Sequence, residues 1–429
     1  MTTPFLSAAS ASGGSCPAQT ATAPVPLSGP AFHTEPQSLY RDMRHSYGPV
    51  VPVELPGGFP AWLVIGYREL HQVTSDGELF PRDVGLWNQW EHIPEDWPLL
   101  PMVGRPMPSI YFTAGAEHRR HSALVVPALE AADMNEIRSH CEELADRLVD
   151  GVCARGTADL VADFAEPLPV LVLARLVGFP DEEGRDIARV LKDLADGGPG
   201  AQEAYGRFGE HMRHLVAAKR AAPGDDVTSR MLADPEPFTD EEYALDLMAI
   251  TAAGHLTTAD WISNSLRLML TEDEFAESLV GGRRSVGEAM NEVLWEESPT
   301  QILAGRWAAR DTRLGGRDIR AGDMLLLGLG AANTDPLVRQ EMGVGRAGRH
   351  PGNGAHLAFS HGEYRCPFPA QEIAETMART GIEVLLDRLP DLELAVPAQD
   401  LVRRPSAFLR GMNALPVRFA PVHTTGDPL

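Results

Sequence analysis

Residues 356–375 read HLAFSHGEYRCPFPAQEIAE. They set one cysteine, Cys366, between an arginine and a proline, after a glycine-containing loop and ahead of a helix-spaced run. Downstream, Ile373, Met377, Gly381, Val384 and Leu385 recur at three- and four-residue steps, and Leu389 continues them to Pro390. Pro367 and Pro369 suit the first turn of a helix, where a missing N–H costs little. Cys366 therefore stands at a predicted helix N-terminus beside Arg365, and both the orphan amides and the guanidinium favour a thiolate. Three readings stay open on these residues alone. Cys366 is a small buried hydrophobe, a nucleophile with His361 as its base, or a thiolate ligand to iron.

The rest of the chain narrows the classes. At 429 residues it can bury a sizeable core, as one large domain or two merged ones. Apolar and charged contents of 44% and 23% are ordinary for a soluble globular protein. A formal charge of −23 argues against nucleic acid and against anionic lipid, since both need a basic surface. Cys16, Cys141, Cys153 and Cys366 form no C-x-x-C pair, which fits a reducing cytoplasm. The first 40 residues hold no Lys or Arg and no long apolar run, so neither a secretory signal nor a membrane anchor is expected. Residues 1–30, small, polar and Pro-rich, read as a flexible tail ahead of a domain over 31–429.

Two strands are expected at 50–54 and 61–65, joined by a Pro-Gly-Gly turn. Helical spacing follows at 124–131, 137–152, 168–176 and 204–217. Residues 238–274 carry the clearest long helix, with Thr239 and Glu242 as a capping box. Short strands with Gly turns return over 314–336, and 339–356 is an irregular Gly-rich loop. The fold class is mainly α (α+β), a helix-rich domain with small sheets near its ends.

The run from Phe359 through Ser360, His361 and Gly362 to Cys366, followed by a Pro- and Ala-containing helix, resembles the haem-thiolate loop of the cytochrome P450 family. Ala253-Gly254-His255-Leu256-Thr257-Thr258 looks like that family's oxygen-activation motif. Residues 305–336 are similar to the strands after its K helix, 116–129 to its C helix, and 47–70 to its N-terminal strands. Five motifs in the right order span roughly residues 36–420. The resemblance implies one triangular, helix-rich domain with a small β region, holding haem b (iron protoporphyrin IX). Cys366 would be the metal ligand, with Phe359 packed behind its sulfur. Thr257 would be the catalytic threonine that helps deliver protons, while Ala253 and Gly254 leave room for a flat macrocycle. His118, Arg306 and Tyr364 fall at positions that bind haem carboxylates. The implied function is a monooxygenase inserting one oxygen atom from O2 into an apolar or aromatic small molecule. Electrons would come from an external ferredoxin and ferredoxin reductase, because no Rossmann fingerprint is present; GVGRAG at 343–348 lacks the strand-turn-helix frame. An acidic ferredoxin would meet Arg119, Arg120, Arg365 and Arg379. The second function implied is a haem-binding protein of the same fold with little or no turnover, acting on a signalling-operon partner.

Four departures from the family pattern matter, and the first three motivate that second function. In the K helix the Glu-x-x-Arg pattern is replaced by Glu292-Val293-Leu294-Trp295, and a Trp cannot replace a guanidinium fork. Either Arg346 or Arg349 from the Gly-rich loop is expected to compensate, or Glu292 is expected to be solvated. The resemblance is to an actinobacterial subset with Trp at this position. Leu256 occupies the usual acid position, leaving Thr257, water, His255 or Asp260 to move protons. Tyr364 and Ser122 stand where carboxylate-binding cations usually lie. Ser360 and Phe368 replace loop glycines, which narrows the backbone conformations open to the loop. Trp87, Trp90 and Trp97, in a lid over 83–104, either stack on an aromatic ligand or pack the lid.

Overall fold

The computed structural model describes residues 23–97, 99–103, 105–196, 200–272, 284–341, 354–424 and 426. Chain order begins with β1 (Val25–Pro26), α1 (Pro36–Tyr47), β2 (Val50–Leu55), β3 (Phe59–Val64) and α2 (Tyr67–Ser75). A helical stretch follows: α3 (Gly115–Glu130), α4 (Met134–Asp150), the short β4 (Thr157–Asp159), then α5 (Pro167–Val177), α6 (Asp181–Asp196), α7 (Ala201–Ala221) and α8 (Asp240–Thr271). After α9 (Arg284–Glu296) come β5 (Leu303–Trp307), β6 (Thr312–Leu314), β7 (Arg317–Ile319) and β8 (Met324–Leu327). The chain closes with α10 (Phe368–Arg388), β9 (Glu393–Leu394) and β10 (Pro416–Arg418). Shorter helical turns are left unlabelled.

The main sheet has the order β1-β2-β3-β8-β5. β2 and β3 form the expected hairpin, with Val50 opposite Val64, and β8 joins β3 in parallel. β5 pairs antiparallel with β8 and shifts register between Leu303 and Arg306, a bulge that re-aims the Arg306 side chain. β1 pairs with β2 and Leu27 is buried, so packed structure begins ahead of residue 31. The tail boundary at residue 30 is therefore corrected for its described end, because an edge strand there gains ladder bonds and buried apolar area. Residues 1–22 lie outside the described residues.

α8 starts with the capping box expected, Thr239 and Glu242 each receiving the other's backbone N–H. Its second half, Thr258 through Leu266, is buried on every face, as a helix threaded through the middle of a domain must be. α5, α7, α9 and α10 pack along it, and α10 packs along α4. That helical core is continuous. Two smaller cores lie against the sheet, one under the 84–103 segment and one under α2. Among the described residues no helix is long and apolar enough to cross a membrane.

Candidate functional site

The Cys366 loop is a tight hairpin set on α2 and α8. The Cys366 amide donates to the Phe359 carbonyl at 3.0 Å, and the Gln371 side chain caps the Cys366 carbonyl at 2.7 Å. Pro367 is the N-cap of α10, as the proline pattern predicts. Gly362 has φ +75, and a Cβ there would sit 1.9 Å from the Thr74 carbonyl. Only glycine lets the loop approach α2 so closely. Ser360, at φ +61, adopts the same left-handed region. Ser360 bears the strain, and Phe368 sits in the first turn of α10 with its ring 62% exposed.

The thiol itself also differs from the sequence expectation. Cys366 is half-buried, and burial pushes its pKa up to about 12. Desolvation outweighs the helix N-terminus and Arg365, so the free thiol is not an activated nucleophile. A cation bonded to the sulfur reverses this balance, since a coordinating thiol is deprotonated outright. Phe359, within the loop, stands edge-on to Trp261 of α8 with ring centroids 5.8 Å apart.

On α8, Ala252 and Ala253 are exposed and Ala249, Gly254, Leu256 and Thr257 half-buried, whereas the following turns are sealed. Ala249, Ala252, Ala253, Leu256 and Thr257 share one face at helical spacing, whereas Gly254 faces the Leu173 side chain of α5, so the expectation that Gly254 leaves room for a macrocycle is corrected. Thr257 donates its hydroxyl to the Ala253 carbonyl at 2.6 Å. His255 points away, to the Glu166 carbonyl at 3.1 Å, and burial lowers it to about 4. It is neutral at pH 7 and does not relay protons there. Asp260 is buried against Arg404 at 3.0 Å, yet burial raises its carboxyl to about 7.

At the opposite edge, Arg306 is 0% exposed. Its Nη1 reaches the Gly305 carbonyl at 3.1 Å, while Nε and Nη2 have no partner among the described residues. Its guanidinium lies 4.7 Å from the Tyr364 ring centroid. Arg82, which sequence reasoning missed, lies 5.5 Å from the same ring and is 8% exposed. Nothing in the spacing around FPRD singles it out; only the fold brings it there. His118 is packed against Tyr364 at 4.7 Å, its ring nitrogens 3.0 Å and 3.2 Å from the Ile110 and Glu363 carbonyls. Burial keeps its pKa low. Buried guanidinium N–H groups without acceptors call for an anion. Together with a strip of small residues and a loop cysteine, they fit a flat macrocycle bearing carboxylates.

No protein-family model matches the chain. The chain is 30% identical to the vitamin D(3) 25-hydroxylase of Pseudonocardia autotrophica over 397 residues, 91% of this chain and 95% of that one. It is also 30% identical over 405 residues to cytochrome P450 107B1 of Saccharopolyspora erythraea, covering 90% and 96% of the two chains. The chain belongs to the cytochrome P450 family. A solved P450 structure, CYP154C4 from Streptomyces sp. ATCC 11861, superposes with a TM-score of 0.83 at 28% identity, over 93% of this chain and 99% of that one. The helix-rich P450 fold and the monooxygenase class of oxidoreductase are thereby established for this chain.

Within this P450 frame the remaining departures can be placed. Glu292 is half-buried and Trp295 buried; Arg346 and Arg349, the expected compensation, lie outside the described residues. Trp295 stands edge-on to His356 at 5.9 Å, and His356 meets Phe359 at 6.0 Å. An aromatic chain therefore runs from α9 through the cysteine loop to Trp261. Asn333 ties the same parts together, accepting from the Leu357 amide at 2.7 Å and donating to the Leu294 carbonyl at 2.9 Å. An ionic node stands at the end of α9. There Glu297 accepts from Arg403 at 2.6 Å and Arg267 at 2.9 Å, with Arg410 at 3.6 Å.

The lid tryptophans are largely spent on packing. Trp87 and Trp97 are buried with centroids 5.7 Å apart, Phe59 lies 5.7 Å from Trp97, and the Trp97 indole donates to the Pro56 carbonyl. The basic patch is mostly neutralised as well. Arg119 pairs with Glu363, Arg120 with Glu117 and Glu242, and Arg379 with Glu375; Arg365 alone of the four is exposed without an ion pair among the described residues. A surface cavity of about 610 Å³ lies among His140, Arg175, Phe179 and Asp226, lined by none of these groups.

Proposed function

We propose that residues 31–429, with β1 attached, form a cytoplasmic haem-b domain that inserts one oxygen atom from O2 into an apolar small organic molecule. Electrons come from an external ferredoxin and its reductase. The observation that carries this reading is the placement of Cys366 at the start of α10, in a loop packed through Phe359 onto the helix whose open strip bears Thr257. Bound haem supplies the iron at which O2 is activated. The chain's own residues do the rest. Cys366 ligates the metal through Sγ, and Arg306, Tyr364 and His118 surround the carboxylate edge. Ala249, Ala252, Ala253 and Leu256 present an apolar wall that excludes water and suits an apolar substrate. The Thr257 hydroxyl, now on the Ala253 carbonyl, can rotate to hold a proton over the open strip. Asp260, one turn on, is the carboxyl of this helix able to exchange a proton near neutral pH.

Reduction of the purified protein under carbon monoxide tests the first step. A Soret band of the thiolate–CO type is expected, and Cys366→Ala should abolish it; absence of haem uptake would overturn the reading. Surrogate ferredoxin and reductase should then couple NAD(P)H oxidation to an oxidised product, and Thr257→Ala should uncouple the two.

One observation favours a second reading, a haem-binding protein with little turnover that acts on a signalling-operon partner. Leu256 replaces the acid that normally neighbours the oxygen-activating threonine. A normal carbon monoxide band with no product under any surrogate reductant would select it.

A further inference from the structure

We infer that Arg82 binds a haem carboxylate and stands in for the cations this chain lacks at Ser122 and Tyr364. The inference rests on the haem reading above. Arg82 lies between α2 and the tryptophan segment, and its side chain crosses to the cysteine loop. Its Nη2 donates to the Tyr364 carbonyl at 3.0 Å and its Nη1 approaches the Tyr111 carbonyl at 3.4 Å. The guanidinium stands 4.8 Å from the Tyr111 ring and 5.5 Å from the Tyr364 ring. Arg306 comes to the same Tyr364 ring at 4.7 Å. One buried tyrosine thus holds two guanidiniums.

Two like charges in a dry site are a costly arrangement unless an anion joins them. Neither forms an ion pair among the described residues. Arg82 Nε and Arg306 Nε and Nη2 are buried without partners. Glu363, the acid whose charge reaches Arg306, is exposed and already bonded to Arg119 at 3.0 Å. Burial lowers the hold of both guanidiniums on their protons, and Arg82 lowers that of Arg306 further. A guanidinium nonetheless stays charged in proteins, so the relief must come from outside the chain. Two cations flanking one aromatic plate match a ligand with two carboxylates, and haem b carries two. Tyr364 is then a platform that spaces the pair, not a lost ligand. Because Arg82 also holds the Tyr364 carbonyl, two residues before Cys366, a carboxylate on Arg82 steadies the loop that presents the sulfur.

The test measures haem release from the ferric holoprotein to excess apomyoglobin. Arg82→Gln should speed release by about 10- to 100-fold, the range for losing a charge-assisted bond. Arg82→Lys should fall between Gln and wild type, and Arg119→Gln, on the exposed neighbour, should leave the rate unchanged. Haem dimethyl ester supplies the second measurement. Wild type should release the ester faster than Arg82→Gln releases haem, because both carboxylates are then neutral, and Arg82→Gln should add little to the ester's own release rate. If Arg82 only props the loop through backbone carbonyls, the variant will be equally harmful with haem and with ester, and the inference falls. It falls independently of any variant if wild type holds ester and haem alike. A wild type that takes up no haem at all overturns the parent reading instead.

Discussion

The Glu297 node offers a quantitative test of how this P450 holds its K helix to the helix carrying Thr257. Glu297 follows α9 and is clasped by Arg267 of α8 and by Arg403 and Arg410 of the C-terminal segment. Arg403 also donates to the Asn264 side chain at 2.6 Å, and Asn264 donates to the Arg410 carbonyl at 2.7 Å. The three cations hold the Glu297 carboxyl at about 2 against an ordinary 4.5, although burial alone would raise it. At roughly 1.4 kcal/mol per tenfold in proton affinity, the ionised form contributes about 3 kcal/mol to folding. Glu297→Gln keeps the shape, removes that contribution, and leaves three partly buried guanidiniums facing each other. A loss of about 3 kcal/mol at pH 7 is expected in urea denaturation followed by far-UV circular dichroism. The sign of the pH dependence is a second check. The folded pKa is depressed, so the contribution is complete above about 4.5 and declines as pH falls toward about 2. Wild type should therefore lose ~0.8 kcal/mol of its advantage over the variant between pH 7 and pH 4. A deficit under about 1 kcal/mol, or one that is identical at both pH values, would refute this account of the brace.

Three further outcomes follow from the same site. His356 is half-buried between Trp295 and Phe359 with Nδ1 unpartnered among the described residues, and desolvation lowers it to about 4. The unfolded chain protonates first, near 6.5, so stability is full above that pH and should drop by about 2 kcal/mol between pH 7 and pH 5; His356→Phe should remove that share of the drop. Ser360→Gly should raise stability by about 0.5–1 kcal/mol, the left-handed strain relieved less the backbone entropy of glycine, and a loss in the melting temperature would contradict it. Gly362→Ala should cost about 2 kcal/mol or more, because the new methyl meets the Thr74 carbonyl; an unchanged urea midpoint would show that the loop does not need that approach.

Much of this P450 was legible in the chain alone. The helix start at Pro367, the capping box at Thr239 and the small-residue face of α8 are local features, set by spacing of three to five residues. What spacing could not supply was the environment. Arg365 and a helix terminus beside Cys366 suggest an acidic thiol, but desolvation depends on everything packed around the sulfur and dominates. Three tryptophans in a lid read as a ligand shelf or as lid packing, and only the contacts of Trp87 and Trp97 with Phe59, and of Trp97 with Pro56, favour packing for those two. Four arginines near the loop suggest a docking patch, whereas Glu363, Glu242 and Glu375 claim three of them.

The sequence by itself determined the fold class, the ordered motifs and Cys366 as the pivotal residue, because covalent spacing and hydrophobic period are written in one dimension. The tertiary structure decided which charges are buried and who meets whom. Arg82 and Arg306, 224 positions apart in number, share the Tyr364 ring. Glu297 gathers arginines from a distant helix and from the C-terminal segment. Such pairings follow from three-dimensional proximity and local dielectric, which no short stretch of chain encodes.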